Sequence, residues 1–352
     1  KLRREYEEHM KALGKLYPPL KVRHQYTSGL LALDFFFNPK NPGIPGGTVV
    51  QMAGAGHSGK TGLALNMIKY HRANGFRTTY VDQENGLKEE YVEGFGWSVW
   101  DEQLFNFVMA VDPDEMHLQH EFTYQLLKTC KKNQEPHILV IDSMPAWKAK
   151  PCFETVRVGS NVQSVGQWCN AISPLLANSN ALVILINRVT DDIGNMWNEF
   201  KIPGGHALHA ISDITTLHRR LANPSNAGST EVHSHQINNN FTITTRQKLG
   251  ITIHKNKFTN SNPKFSKLDY FLNSDPRFGE YGLDNGNSML AFLKDMGVLR
   301  SSGARYSIGE TSMFWKQWER SVVSDPEVNE LVVQKTQEAL NKMFNDKLNL
   351  EE

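Results

Sequence analysis

The chain is 352 residues long, enough for one large core and a smaller unit, because single cores stop growing near ~250 to 300 residues. Charged residues make up 21% and hydrophobic ones 39%, and no apolar run approaches the ~20 residues that span a bilayer, so membrane insertion is not expected. The formal net charge of +1 gives no global attraction to nucleic acid, so any such site must come from local clustering or from repeated subunits.

In chain order, Leu2, Tyr6, Met10 and Leu13 recur at helical spacing over residues 1–14, which predicts an amphipathic helix whose apolar stripe needs a partner. That partner is either its own domain or a neighbouring subunit. Pro18 and Pro19 stop the helix. The Gly/Pro-rich segment Asn41 to Gly47 leads into Thr48 to Ala53, an apolar run that reads as a buried strand. Gly54-Ala55-Gly56-His57-Ser58-Gly59-Lys60-Thr61 follows, and Gly62 to Ile68 continues as a helix. This is the P-loop pattern in its strand-loop-helix setting. Backbone amides of Gly54 to Gly59 cradle a di- or triphosphate at the positive end of the helix, Lys60 reaches the β and γ phosphates, and Thr61 ligates magnesium.

Up to about residue 220, strands alternate with helices. Strands are expected at Thr78 to Asp82, Leu104 to Ala110, His137 to Asp142 and Ala181 to Asn187, and helices near 88–95, 114–132 and 159–178, with Pro174 kinking or ending the last. Such alternation predicts an α/β fold with a mainly parallel sheet covered by helices, ligands gathering at the carboxyl ends of its strands. Residues 221–250, rich in Asn, Ser and Thr, read as a loop or exposed hairpin, and strand-like runs follow at Leu249 to His254 and Phe265 to Phe271. Residues 286–350 read mainly as helices, including Ser288 to Lys294 and Pro326 to Asn345. Cys130, Cys152 and Cys169 show no C-x-x-C spacing and no signal peptide opens the chain, so a reducing cytoplasm is the expected compartment.

Three further segments carry candidate chemistry. The apolar strand ending in Asp142 is how a P-loop enzyme sets an acid beside magnesium, through a bound water. Asp82 and Glu84 close the first strand after the P-loop helix, and either one orients and deprotonates a water attacking the γ-phosphate or both are solvated strand-end acids. The stretch from Asn187 to His206 reads as a strand running into a binding loop, in which Trp197 either stacks on a base or packs the loop onto the core; the same two readings hold for Trp147 and Phe153. Lys255 and Lys257 flank Asn256 on one face of a strand, by default a solvated edge pair.

The order of these segments resembles the RecA family of recombinases, in its bacterial and phage branch, from about Tyr26 to the C-terminal helices. T-S-G-L-L-A-L-D at 27–34 is similar to the family's segment before the P-loop, Y-V-D-Q-E-N-G-L at 80–87 to its strand with the catalytic glutamate, and L-V-I-D-S at 139–143 to its magnesium-associated strand. The resemblance implies ATP and Mg2+ as cofactors, Glu84 as the water-activating base, Tyr91 as the aromatic stacked on adenine, and Asn187 near the nucleotide. It makes Lys255 and Lys257 contacts to the neighbouring protomer's ATP, and the N-terminal helix a clasp on the next protomer. It implies a first DNA-binding loop near 148–159, with Arg157, Val158 and Gly159, and a second near 188–206, with Arg188, Ile193, Gly194, Met196, Trp197, Gly204, Gly205 and His206. The implied organisation is an N-terminal oligomerisation helix and linker (1–25), a RecA-like ATPase core (26–275) and a small C-terminal α/β domain (276–352). The implied partners are single-stranded DNA, homologous double-stranded DNA and further copies of the chain in a helical filament. The implied activity is ATP-dependent homology search and strand exchange, in the cytoplasm of a bacterium or of a phage-infected host.

The chain also departs from that pattern. Asn187-Arg188 stands where the family has Asn-Gln, leaving Arg188 able to contact phosphate of ATP or of DNA; Asp191 and Asp192 are acidic where its loop is basic or neutral, and Gln163 and Asn170 replace basic residues. The first loop is short, residues 221–250 form an insert, and the acidic tail is reduced to Glu351-Glu352. These differences point to a divergent member and keep two other readings open: an ATP-binding recombination mediator, or a hexameric helicase, for which too few residues precede the P-loop to build a ring-forming domain.

Overall fold

The computed structural model describes residues 23–101, 103–109, 115–147, 160–190, 201–221, 233–238, 241–259, 267–273 and 282–348. The helix expected at 1–14 and the loop expected at 148–159 lie outside them. Strands β1 (Gln25–Tyr26) and β2 (Ile44–Pro45) pair around helix α1 (Leu31–Phe37). The P-loop unit follows as β3 (Thr48–Gly54) and α2 (Lys60–Ala73). The alternation continues through β4 (Thr78–Asp82), α3 (Glu89–Glu93), β5 (Phe105–Met109), α4 (Met116–Asn133), β6 (His137–Asp142), α5 (Ser160–Leu176), β7 (Ala181–Arg188), α6 (Gly205–Ile211) and β8 (Ile214–Arg220). Pro174 lies inside α5, two residues before its end.

β8-β3-β7-β6-β4-β5 run parallel in that order. Consecutive residues of the apolar strands serve opposite cores. Val50, Met52, Ile138, Val140, Leu182 and Ile184 pack on one face, and Val49, Leu139, Ile141, Val183 and Leu185 on the other. Both faces are therefore covered, as an apolar run without alternation requires. The fold is the expected α/β class: a large, mostly parallel sheet flanked by helices, with a small C-terminal antiparallel sheet.

Three expectations gain detail from the structure. Residues 221–250 are not simply a loop or exposed hairpin: β9 (His233–Asn238) pairs with the start of β10 (Phe241–Asn256), which runs on beside β8 and takes up the separately expected Leu249 to His254 strand. Alternation was obscured because polar residues on β10 are buried. The 286–350 region is mainly helical, as expected, but also holds a small sheet. After β11 (Lys267–Asn273), β12 (Gly282–Asp284) and α7 (Asn285–Asp295), it contains the sheet β13 (Arg300–Ser302), β14 (Arg305–Ile308) and β15 (Thr311–Phe314), then α8 (Trp315–Ser324) and α9 (Pro326–Leu348). Those strands are too short to show a period. Trp147 packs the core, fully buried against Trp168 and His120, with ring centroids 5.5 and 4.6 Å away.

Arg246 fastens α8 to β10. Its fully buried guanidinium meets Glu319 Oε1 at 2.8 Å and Asp284 Oδ2 at 3.9 Å and lies 3.9 Å over the Phe271 ring. Removing one side of such a pair strands a buried charge, so Glu319→Ala is expected to cost about 3–5 kcal/mol in urea unfolding.

Burial also pushes four histidines below their ordinary value: His71 and His218 to about 3, His120 and His137 to about 4. Each stays neutral in the fold but takes a proton near pH 6.5 when unfolded. The unfolded state therefore binds more protons below that pH, and stability falls as pH drops from about 6.5 towards 4. His71 stacks on Phe76 at 5.1 Å, so His71→Phe keeps the packing and is expected to lose about 1 kcal/mol less than wild type between pH 7 and 5.5, read by denaturant midpoints.

Candidate active site

β3 ends at Gly54 and α2 starts at Lys60, so the segment between them turns under the positive end of a 14-residue helix. Two glycines are required here. A Cβ on Gly54 would lie 2.5 Å from the His218 carbonyl oxygen, and Gly59 has φ +89° with Leu249 and Tyr270 within 2.7 Å of any added Cβ. Lys60 Nζ donates to the carbonyls of Gly54 (2.9 Å) and Ala55 (2.7 Å) and to Ser58 Oγ (3.3 Å), which holds the amine at the mouth of the loop. His57, at φ +57°, and Ser58 complete the turn.

The loop floors a cavity of about 500 Å³ that is also lined by Glu84, Asp142, Ser143, Arg188 and Tyr91. Glu84, Asp142, Ser143 and Arg188 come from strand ends made neighbours by the β7-β6-β4 order, and Tyr91 comes from α3. Thr61 Oγ1 donates to Asp142 Oδ2 at 3.1 Å, and the Tyr80 hydroxyl donates to the same oxygen at 2.6 Å. Burial raises Asp142 above the ordinary carboxylate range, against the lowering effect of those two donors. Thr61 and Asp142 together offer hard oxygen ligands beside a phosphate cradle, the donor set that suits magnesium.

Asp82 and Glu84, equivalent on local sequence, differ in the structure. Asp82 is buried and accepts backbone N–H bonds from Glu84 (3.1 Å), Gly86 (3.3 Å) and Leu87 (2.9 Å), so its carboxylate shapes the turn. Glu84 turns its carboxylate into the cavity, where Oε1 accepts from the Ser143 hydroxyl and Oε2 meets Arg188 at 2.5 Å. Burial opposes its charge, but Ser143, Arg188 and Lys60 hold its pKa below the ordinary value.

The remaining candidates divide. Tyr91 lies over α2, its hydroxyl 3.2 Å from a Cβ built on Gly62, with Leu272 close by. Asn187 is fully buried and donates to the Pro203 carbonyl at 2.6 Å, tying the end of β7 to the segment before α6. Thr190 and Lys201 bond backbone to backbone in both directions (2.9 and 2.7 Å). Gly204 (φ +117°) and Gly205 (φ +71°) start α6, with His206 exposed. Arg157, Val158, Gly159, Ile193, Gly194, Met196 and Trp197, with Asp191 and Asp192, lie outside the described residues. Lys255 and Lys257 do not line the cavity. Lys255 donates to the His209 carbonyl, and Lys257 meets Asp213 Oδ1 at 2.7 Å, both at the C-terminal end of α6.

Residue-level reading gave Ser143 and Tyr80 no role, although each touches a candidate acid. Ser143 directly follows Asp142, and a hydroxyl at the end of an apolar strand was the available signal. Gln247, Leu249 and Leu272 also line the cavity, and no local motif marks them.

Comparison with known proteins agrees with this geometry. The RecA N-terminal domain family matches residues 9–258. Protein RecA of Aquifex pyrophilus is 25% identical over 307 residues, which is 84% of this chain and 78% of that one. Protein RecA of Aquifex aeolicus is 26% identical over 319 residues (89% and 83%), and that of Halalkalibacterium halodurans 27% over 289 (81% and 73%).

Proposed function

We propose that this chain, which belongs to the RecA family, is a DNA-dependent ATPase that assembles on single-stranded DNA as a helical filament, searches homologous duplex DNA and exchanges strands. The observation that carries this reading is the convergence of the Gly54–Thr61 loop, Glu84 and Asp142 at neighbouring strand ends of one cavity.

In this reading the loop amides and Lys60 hold the β and γ phosphates, and Tyr91 packs on the base. Thr61, and Asp142 through a water, hold magnesium, which when bound draws charge off the phosphate oxygens. Glu84 accepts a proton from a water aligned with the γ-phosphate as the water oxygen bonds to phosphorus and ADP leaves. Lys255 and Lys257 complete the site of the adjacent protomer, so ATP bridges two copies and its hydrolysis loosens the filament. The second loop beyond Arg188, as far as His206 and with Gly204 and Gly205, and the 148–159 segment face DNA, whose bases are read by pairing with other bases rather than by side chains. We assign the chain to the cytoplasm of a bacterium or phage-infected host and divide it near residues 25 and 275.

The test is strand exchange between a circular single strand and its homologous linear duplex, with negative-stain images of the same mixture. Helical filaments and ATP-dependent joint molecules are expected. Rings that unwind duplex would make the chain a helicase, and ATP binding with neither filaments nor exchange would make it a mediator.

A further inference from the structure

Glu84 rides on the turn after β4, next to Asn85 at φ +52°, and its longer side chain has one more free torsion than an aspartate. Two neighbouring strand ends restrain it: Ser143, after β6, holds Oε1, and Arg188, the last residue of β7, holds Oε2 at 2.5 Å. Among the described residues Glu84 is the polar partner of Arg188, whose side chain is 63% exposed. Asn187, one residue earlier and so on the opposite side of the strand, is buried and committed to Pro203. The Glu84–Arg188 pair also separates the nucleotide cavity from a shallow recess lined by Pro145 and Ala146, which gives a released carboxylate somewhere else to go. An ion pair this exposed contributes little to stability, so its consequence is orientation.

We propose that Arg188 is a positioning residue of the hydrolytic site, its guanidinium and the Ser143 hydroxyl together fixing the direction of the Glu84 carboxylate. The inference rests on the proposed ATPase and sets Arg188 on the nucleotide side rather than at the DNA surface. Arg188 acts through Glu84 and takes no proton itself. A misaimed base costs turnover while leaving the phosphate cradle intact.

The test compares full-length wild type, Arg188→Ala, Arg188→Lys, Glu84→Gln and the Glu84→Gln/Arg188→Ala double variant. Readouts are ATP turnover at saturating oligo-dT, equilibrium binding of a slowly hydrolysed ATP analogue, and affinity for an oligo-dT strand. Arg188→Ala is expected to lose roughly 10- to 100-fold in kcat. Its analogue and oligo-dT affinities should stay within about twofold of wild type. Arg188→Lys should recover part of the loss, because a cation again reaches Oε2, and in the Glu84→Gln background removing Arg188 should change nothing further. An equal loss in that background, or unchanged turnover with a loss confined to oligo-dT affinity, would overturn the proposal. If wild type itself hydrolyses no ATP, the functional reading falls; if its hydrolysis needs Lys60 but ignores Arg188, only this inference falls.

Discussion

Glu84→Gln is expected to bind ATP as wild type does and to turn it over roughly 10²- to 10⁴-fold more slowly, the range a positioned general base contributes. Glutamine keeps the size and an acceptor oxygen but cannot take a proton. The phosphate contacts of the Gly54–Thr61 loop lie on a different strand end, so the change falls on kcat rather than on binding. Asp82→Asn is the informative contrast. The Asp82 carboxylate accepts three backbone N–H groups, so its substitution perturbs the turn that carries Glu84 and should lower the melting temperature as well as the rate. Equilibrium nucleotide binding alongside steady-state kinetics separates the two variants.

Lys255→Ala is expected to lose on the order of 10³-fold in turnover, the scale of a cation supplied in trans to a transferring phosphoryl group. Within one chain, the Lys255 amine reaches only as far as the end of α6 and not the nucleotide cavity, so a merely local role predicts almost no effect. Mixing Lys255→Ala with Lys60→Ala distinguishes a trans from a cis role. An interface built from the intact Lys60 of one variant and the intact Lys255 of the other is complete, and an equal random mixture restores up to about a quarter of wild-type turnover. If mixing restores nothing, the lysines do not act across an interface.

What was legible in the sequence follows from where the physics is local. The strand-loop-helix around Gly54–Thr61 was readable because loop amides, a glycine at positive φ and Lys60 act within eight residues, and β6 and β7 because burial on both faces leaves unbroken apolar runs. The choice between Asp82 and Glu84 was not readable from local residues. It depends on whether each carboxylate meets backbone amides or the cavity, and that is fixed by Ser143 and Arg188 on strands far along the chain. Arg246 shows the same limit. Its charge sits in a Ser/Thr/Asn-rich stretch that reads as solvent-facing, yet Glu319 and the Phe271 ring make its burial tolerable. The small sheet at 300–314 escaped because three- and four-residue strands carry no measurable period.

The proposed function requires a nucleotide site whose chemistry answers to single-stranded DNA. The most direct measurement is the steady-state rate of ATP hydrolysis by the wild-type chain as oligo-dT is titrated in, at fixed magnesium and salt. The expected rate climbs with oligo-dT, saturates as protein is taken onto the strand, and disappears in Lys60→Ala. A rate indifferent to oligo-dT at every concentration, or one that survives the loss of Lys60, would contradict it.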